Sequence, residues 1–164
     1  MAPHTGRYTN DAGADRGRTL AQWYCLLAGL ALLLAGVGGF LANADFGIGD
    51  VPSGTVEGDS FLGFEINGWH NVVHVASGIV LIAAANTRPT AKLVALTFGL
   101  VYGLVTIIGV VDGSDVLGII PVNGQDNILH VALAALGILT GVISKARKGP
   151  HRDTRVGSGS TTAA

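Results

Sequence analysis

Two stretches of this chain are near copies of each other. Residues 66–76 read I-N-G-W-H-N-V-V-H-V-A and residues 122–132 read V-N-G-Q-D-N-I-L-H-V-A. Six of the eleven positions are identical, and three more exchange one aliphatic residue for another. Each copy opens an apolar run. Asn67 and Asn123 stand where a helix N-cap is wanted, each followed by glycine and then by apolar residues. An asparagine side chain there accepts hydrogen bonds from the free amides of the first helical turn. The chain therefore starts two helices in the same way.

The apolar runs decide the class of fold. Only 13% of the 164 residues are charged, against roughly a quarter in a soluble domain. Trp23 to Leu41 is nineteen residues without a charge. At about 1.5 Å rise per residue this spans roughly 28 Å, close to the hydrocarbon thickness of a bilayer. Trp23 and Tyr24 stand at its start, where amphipathic rings favour the membrane interface. Ala42-Asn43-Ala44 resembles a signal-peptidase site, but the run before it exceeds the roughly 7–15 residues of a signal core. The segment is expected to stay on the protein. Three more runs follow, with Pro89 marking a boundary between the second and third because proline disfavours helix at the residue before it. The expectation is an all-α membrane fold over 22–144, with four transmembrane helices at about 22–41, 68–85, 91–111 and 123–143. Residues 1–21 and 145–164 read as disordered cytoplasmic tails, the second basic and then rich in Gly, Ser and Thr.

Charge sets the orientation. All ten Lys and Arg fall before the first run, between the second and third, or after the fourth. The connection at 42–66 holds Asp45, Asp50, Glu57, Asp59 and Glu65 but no basic residue, and Asp112 to Val122 holds none either. The positive-inside rule then places both termini in the cytoplasm of a multi-pass cell-membrane protein, with the repeated motifs facing outward.

The first and third runs also align, at an offset of 70 residues, pairing Gly29 with Gly99 and Gly39 with Gly109, while the motifs are offset by 56. Each repeat thus reads helix, outside loop, motif, helix. Two crossings per repeat give both copies one orientation, as in parallel repeats related by an axis along the membrane normal. Gly99/Gly103 and Gly137/Gly141 are small-residue pairs suited to close packing within the bundle. Tyr102 falls mid-helix, where its hydroxyl wants an internal partner. Cys25 is the single cysteine, so no intramolecular disulfide forms, and it reads as a small apolar helix residue.

The polar residues of the motif carry what chemistry there is. His70 and His74 are four apart on one helix face, as are Asp126 and His130; Asn71 and Asn127 lie one residue off that stripe. The pseudo-symmetry brings the stripes to one depth. The first reading is a polar clasp between helices, since lipid offers these groups no partners. The alternatives are a zinc or copper site using His70, His74, Asp126 and His130, and a haem held by His74 and His130. Proton transfer or pH sensing by the histidines is a further one. No phosphate loop, nucleophile elbow or zincin motif occurs. No cofactor is required by the first reading, and a non-enzymatic module is expected. The partners expected are the bilayer, with anionic lipid at the basic tail, and other membrane proteins or a second copy, but no nucleic acid.

The two motifs, with Phe98-Gly99-Leu100-Val101-Tyr102-Gly103 on the third run, resemble a bacterial, largely actinobacterial, membrane-protein family known as domain of unknown function 4383. The resemblance covers roughly residues 20–145 and implies four helices. It implies no reaction, cofactor or partner. The long Asp/Gly-rich loop at 42–66 departs from the family pattern.

Overall fold

A computed structural model describes residues 17–48 and 58–146. The tails expected at 1–21 and 145–164 fall largely outside these residues, as does the middle of the acidic loop. Four helices form: α1 (Leu20–Ala42), α2 (Gly68–Ala84), α3 (Arg88–Asp112) and α4 (Gly124–Ile143). α1, α3 and α4 are long and apolar enough to cross a membrane, while α2 is apolar but shorter, at 17 residues.

The helix starts follow local chemistry. Thr19 and Gln22 form a reciprocal capping box on α1. Asn67 and Asn123 cap α2 and α4 through their side chains. The sequence reading starts the third helix near residue 91, but Thr87 caps it and Pro89 sits inside its first turn. Proline has no N–H to lose there, so the start is tolerated. α3 ends on Gly113, whose φ of 90° gives the left-handed cap that glycine adopts freely.

The α1–α2 and α3–α4 connections differ from the expected plain loops. β1 (Asp59–Phe61) pairs antiparallel with β2 (Phe64–Ile66), and β3 (Asp115–Val116) with β4 (Ile120–Pro121). Strands of two or three residues are too short to show alternation in a sequence. Their turns also lack the usual Asn-Gly signal. Leu62-Gly63 and Leu117-Gly118 turn the chain instead, with φ of 54°, 90°, 60° and 67°.

α1 packs along α2 and α3 along α4, whereas α2 and α3 touch little. Glycines let the paired backbones approach. A Cβ on Gly29 would come within 3.0 Å of Leu81, Ile82 and the Gly78 carbonyl, and one on Gly99 would come within 2.8 Å of Ala134 and Ile138. Gly137 and Gly141 face Ala95 and Leu96, so these small residues serve packing inside the chain. The interior is accordingly built of small residues with a few rings, including Ala21, Cys25, Ala28, Ala91, Ala95 and Tyr102. Leu27, Leu34, Leu100, Leu104 and Ile107 point outward and are more than half exposed. So much apolar surface exceeds what a soluble monomer shows to water. In hydrocarbon it is the solvated face.

At the end opposite the hairpins, polar bonds tie the helix termini together. Gln22 Nε2 donates to Ala85 O (3.0 Å), the Ala21 amide to Ser144 Oγ (2.9 Å), and Lys92 Nζ to Ser144 O (2.8 Å). Arg18, Arg88, Lys92 and Lys145 all belong to this end, by their places in the chain.

Candidate functional site

The hairpin end is held by the two cap asparagines. Asn67 Oδ1 accepts from the His70 amide at 2.9 Å, while its Nδ2 donates to Ile119 O at 2.8 Å. Asn123 Oδ1 accepts from the Gln125 and Asp126 amides, while its Nδ2 donates to Gly63 O at 2.9 Å. Each asparagine therefore starts its own helix and fastens it to the other helix's hairpin. Asp126 adds a third tie: its Oδ2 accepts from the Asn123 amide at 2.9 Å and from the Glu65 amide at 3.0 Å. Sequence spacing suggests the caps; it says nothing of these crossings.

Beneath the caps, three imidazoles converge. Their i,i+4 spacing stacks His70 and His74 on the inner face of α2, with Nε2 to Nε2 3.1 Å and ring centroids 4.4 Å apart. His130 reaches them from α4, its centroid 6.1 Å from His70 and 6.3 Å from His74. All three are buried, and one ligand nitrogen from each lies within 4.8 Å of the other two. A tetrahedral ion with bonds of about 2.0–2.1 Å holds its ligand nitrogens roughly 3.3–3.4 Å apart. The α2 pair already has about that separation, and His130 needs only a modest approach. Nδ1 of His70 and of His130 is buried without a hydrogen bond.

The other predicted residues are placed elsewhere. Asp126 is buried beside the cluster, but its Oδ2 is committed to two amides and it is not part of the three-nitrogen group. Asn71 and Asn127 do not bridge the histidines. Asn71 turns to α1, where its Nδ2 donates to Asn43 O at 2.7 Å and its Oδ1 lies against Gly39. Asn127 turns to α3, with Oδ1 against Gly109. Asn71, one residue beyond His70, and Asn127, one residue beyond Asp126, thus point to the partner helix of the same pair, not across the bundle.

Tyr102 belongs to the site, although its spacing gave no sign of it. Its ring stacks on Phe98 (4.1 Å) and meets His130 edge-on at 5.2 Å. Its hydroxyl is buried without a hydrogen bond, with Ser77 alongside. The signal was a broken correspondence. At the offset of 70, Tyr102 aligns in sequence with Leu32, just as His70 aligns with Asp126 at the offset of 56. Polar residues without a like counterpart mark where the two halves differ in role.

A cavity of about 380 Å³ runs from this cluster between α2 and α3. Its far part is apolar, lined by Val80, Leu93, Val94 and Val101. It opens where those two helices touch little.

The model of the family described as domain of unknown function (DUF4383) matches residues 22–143, and the chain belongs to that family. No curated protein and no solved structure matches it.

Proposed function

We propose that this family member is a multi-pass cell-membrane protein that binds one transition-metal ion at His70, His74 and His130. The observation that carries this is the convergence of three buried imidazoles from two helices on one point. Three neutral imidazoles with an open fourth position suit zinc, and imidazole ligands also suit copper. The same convergence disfavours haem. A porphyrin needs His74 and His130 on opposite sides of a free plane, and the His70 ring stands 4.4 Å from His74.

In this reading α2 crosses the membrane with the other three helices. Its 17 residues reach roughly 25 Å, at the short limit for a span. The four helices form two parallel two-helix repeats. Support comes from Gly39 against Asn71 and Gly109 against Asn127, which are equivalent contacts at the sequence offsets. The basic residues put both termini in the cytoplasm, and the metal centre lies in the outer leaflet.

The reading without metal keeps one specific support, the His70–His74 contact at 3.1 Å within α2, which one tautomer pair makes a hydrogen bond, although it does not itself join two helices. Metal analysis of protein extracted from membranes separates the two. One equivalent of zinc or copper per chain, lost in His130→Ala, supports the metal site. Metal-free protein that takes up no added zinc or copper leaves the clasp.

A further inference from the structure

We propose that the groove between α2 and α3 binds a long-chain fatty acid, its carboxylate completing the metal site and its chain lying along the groove. This rests on the metal reading.

Three features of the groove point to such a ligand. The first is access. The groove opens between helices whose outer faces carry exposed Val80, Leu93 and Val101, so in a bilayer its mouth meets acyl chains rather than water. A ligand arriving there is lipophilic. The second is length. Val80 lies ten positions after His70 on α2, about 15 Å along the helix. That is roughly half of a hydrocarbon core of about 30 Å, the depth spanned by one leaflet's acyl chains. The third is polarity. The imidazoles and the Tyr102 hydroxyl sit at one end, and the walls beyond are mostly apolar, with Ser77 and Thr97 their polar members. At that end the Tyr102 hydroxyl, 4% exposed, has the Ser77 side chain beside it but no hydrogen bond of good geometry. A hydroxyl buried in apolar surroundings costs stability unless an acceptor reaches it.

Charge selects the head group. An ion on three neutral imidazoles keeps its full positive charge in a low-dielectric setting, where uncompensated charge is costly. Asp126 offsets part of that charge from beside the cluster, but its Oδ2 is committed to two amides and it is not among the converging ligand atoms. A carboxylate entering from the groove neutralises part of the charge, takes the open coordination position and accepts from Tyr102. An alcohol or alkane head does none of these as well.

The test uses the full chain in phosphatidylcholine nanodiscs, loaded with cobalt(II) as a visible reporter. Palmitate is titrated, with hexadecanol as control. Palmitate is expected to shift the cobalt bands saturably, and hexadecanol to leave them unchanged. Tyr102→Phe should keep the cobalt and weaken palmitate roughly tenfold, as loss of one hydrogen bond to a charged group predicts. Val101→Trp adds bulk to the groove wall at a residue outside the three-histidine group; it should keep the cobalt and lose the palmitate response. Cobalt binding with no palmitate response, an equal response to hexadecanol, or an unaltered response in Val101→Trp overturns the fatty-acid proposal and leaves the metal site standing. Failure to bind cobalt overturns both.

Discussion

Nε2 of His70 and Nε2 of His74 lie 3.1 Å apart on one face of α2, aimed at the same point that His130 approaches from α4. Removing one of three ligands leaves two and an open site. His74→Ala and His130→Ala are each expected to weaken zinc binding by more than the roughly 10–100-fold that loss of a supporting second-shell partner costs. A competition titration with a chelator measures it. In metal-free protein the same pair should couple by only about 0.5–2 kcal/mol, the range for interhelical polar contacts in membranes. Strict additivity of the two changes, with no metal taken up, counts against both readings.

Asp126 separates a structural carboxylate from a ligand. Its Oδ2 holds the amides of Asn123 and Glu65. Asp126→Ala strands both and should cost about 1–3 kcal/mol in unfolding stability. Metal content should stay at one equivalent. Loss of metal with unchanged stability would make it a ligand after all.

Gly39 and Gly109 are predicted to be intolerant of alanine. A Cβ on Gly39 would collide with Oδ1 of Asn71, and one on Gly109 would come within 2.8 Å of Oδ1 of Asn127. Overpacking of this kind costs about 1–3 kcal/mol. Adding Asn71→Ala to Gly39→Ala removes the colliding group, so the double variant should lose less than the two singles summed. Thermal unfolding of the four proteins in detergent decides it.

The cross-ties of the caps predict that the hairpins stabilise helices they do not adjoin in sequence. Asn123→Ala removes two cap bonds and the bond to Gly63 O. A cap alone is worth about 1 kcal/mol. Beyond that loss, amide hydrogen exchange should rise in the first hairpin, around residues 59–66. Exchange that rises only in α4 would mean the Gly63 bond carries nothing.

Topology is open to reporter fusions. Fusions after Val111 and within 45–62 should report outside, and those after Ala85 and Ala146 inside. A cytoplasmic signal from 45–62 would overturn the proposed orientation.

What the sequence determined by itself is what depends on near neighbours. Helices at four apolar runs, asparagine caps at 67 and 123, and His70 stacked over His74 all follow from spacings of a few residues, set by the helix period. The membrane class follows from composition, because a bilayer tolerates an apolar exterior that water does not. The tertiary structure decided what depends on how whole helices cross. It brought His130 and Tyr102 to the α2 pair, turned Asn71 and Asn127 away to Gly39 and Gly109, and gave Asp126 to the hairpin amides. Those outcomes depend on how closely glycines let each pair of helices approach and on which hairpin meets which cap. Contacts between residues some twenty to sixty positions apart leave no periodic trace in a chain. The hairpins themselves escaped for a different reason: their strands are two or three residues long and their turns are built on leucine, where local propensity points the other way.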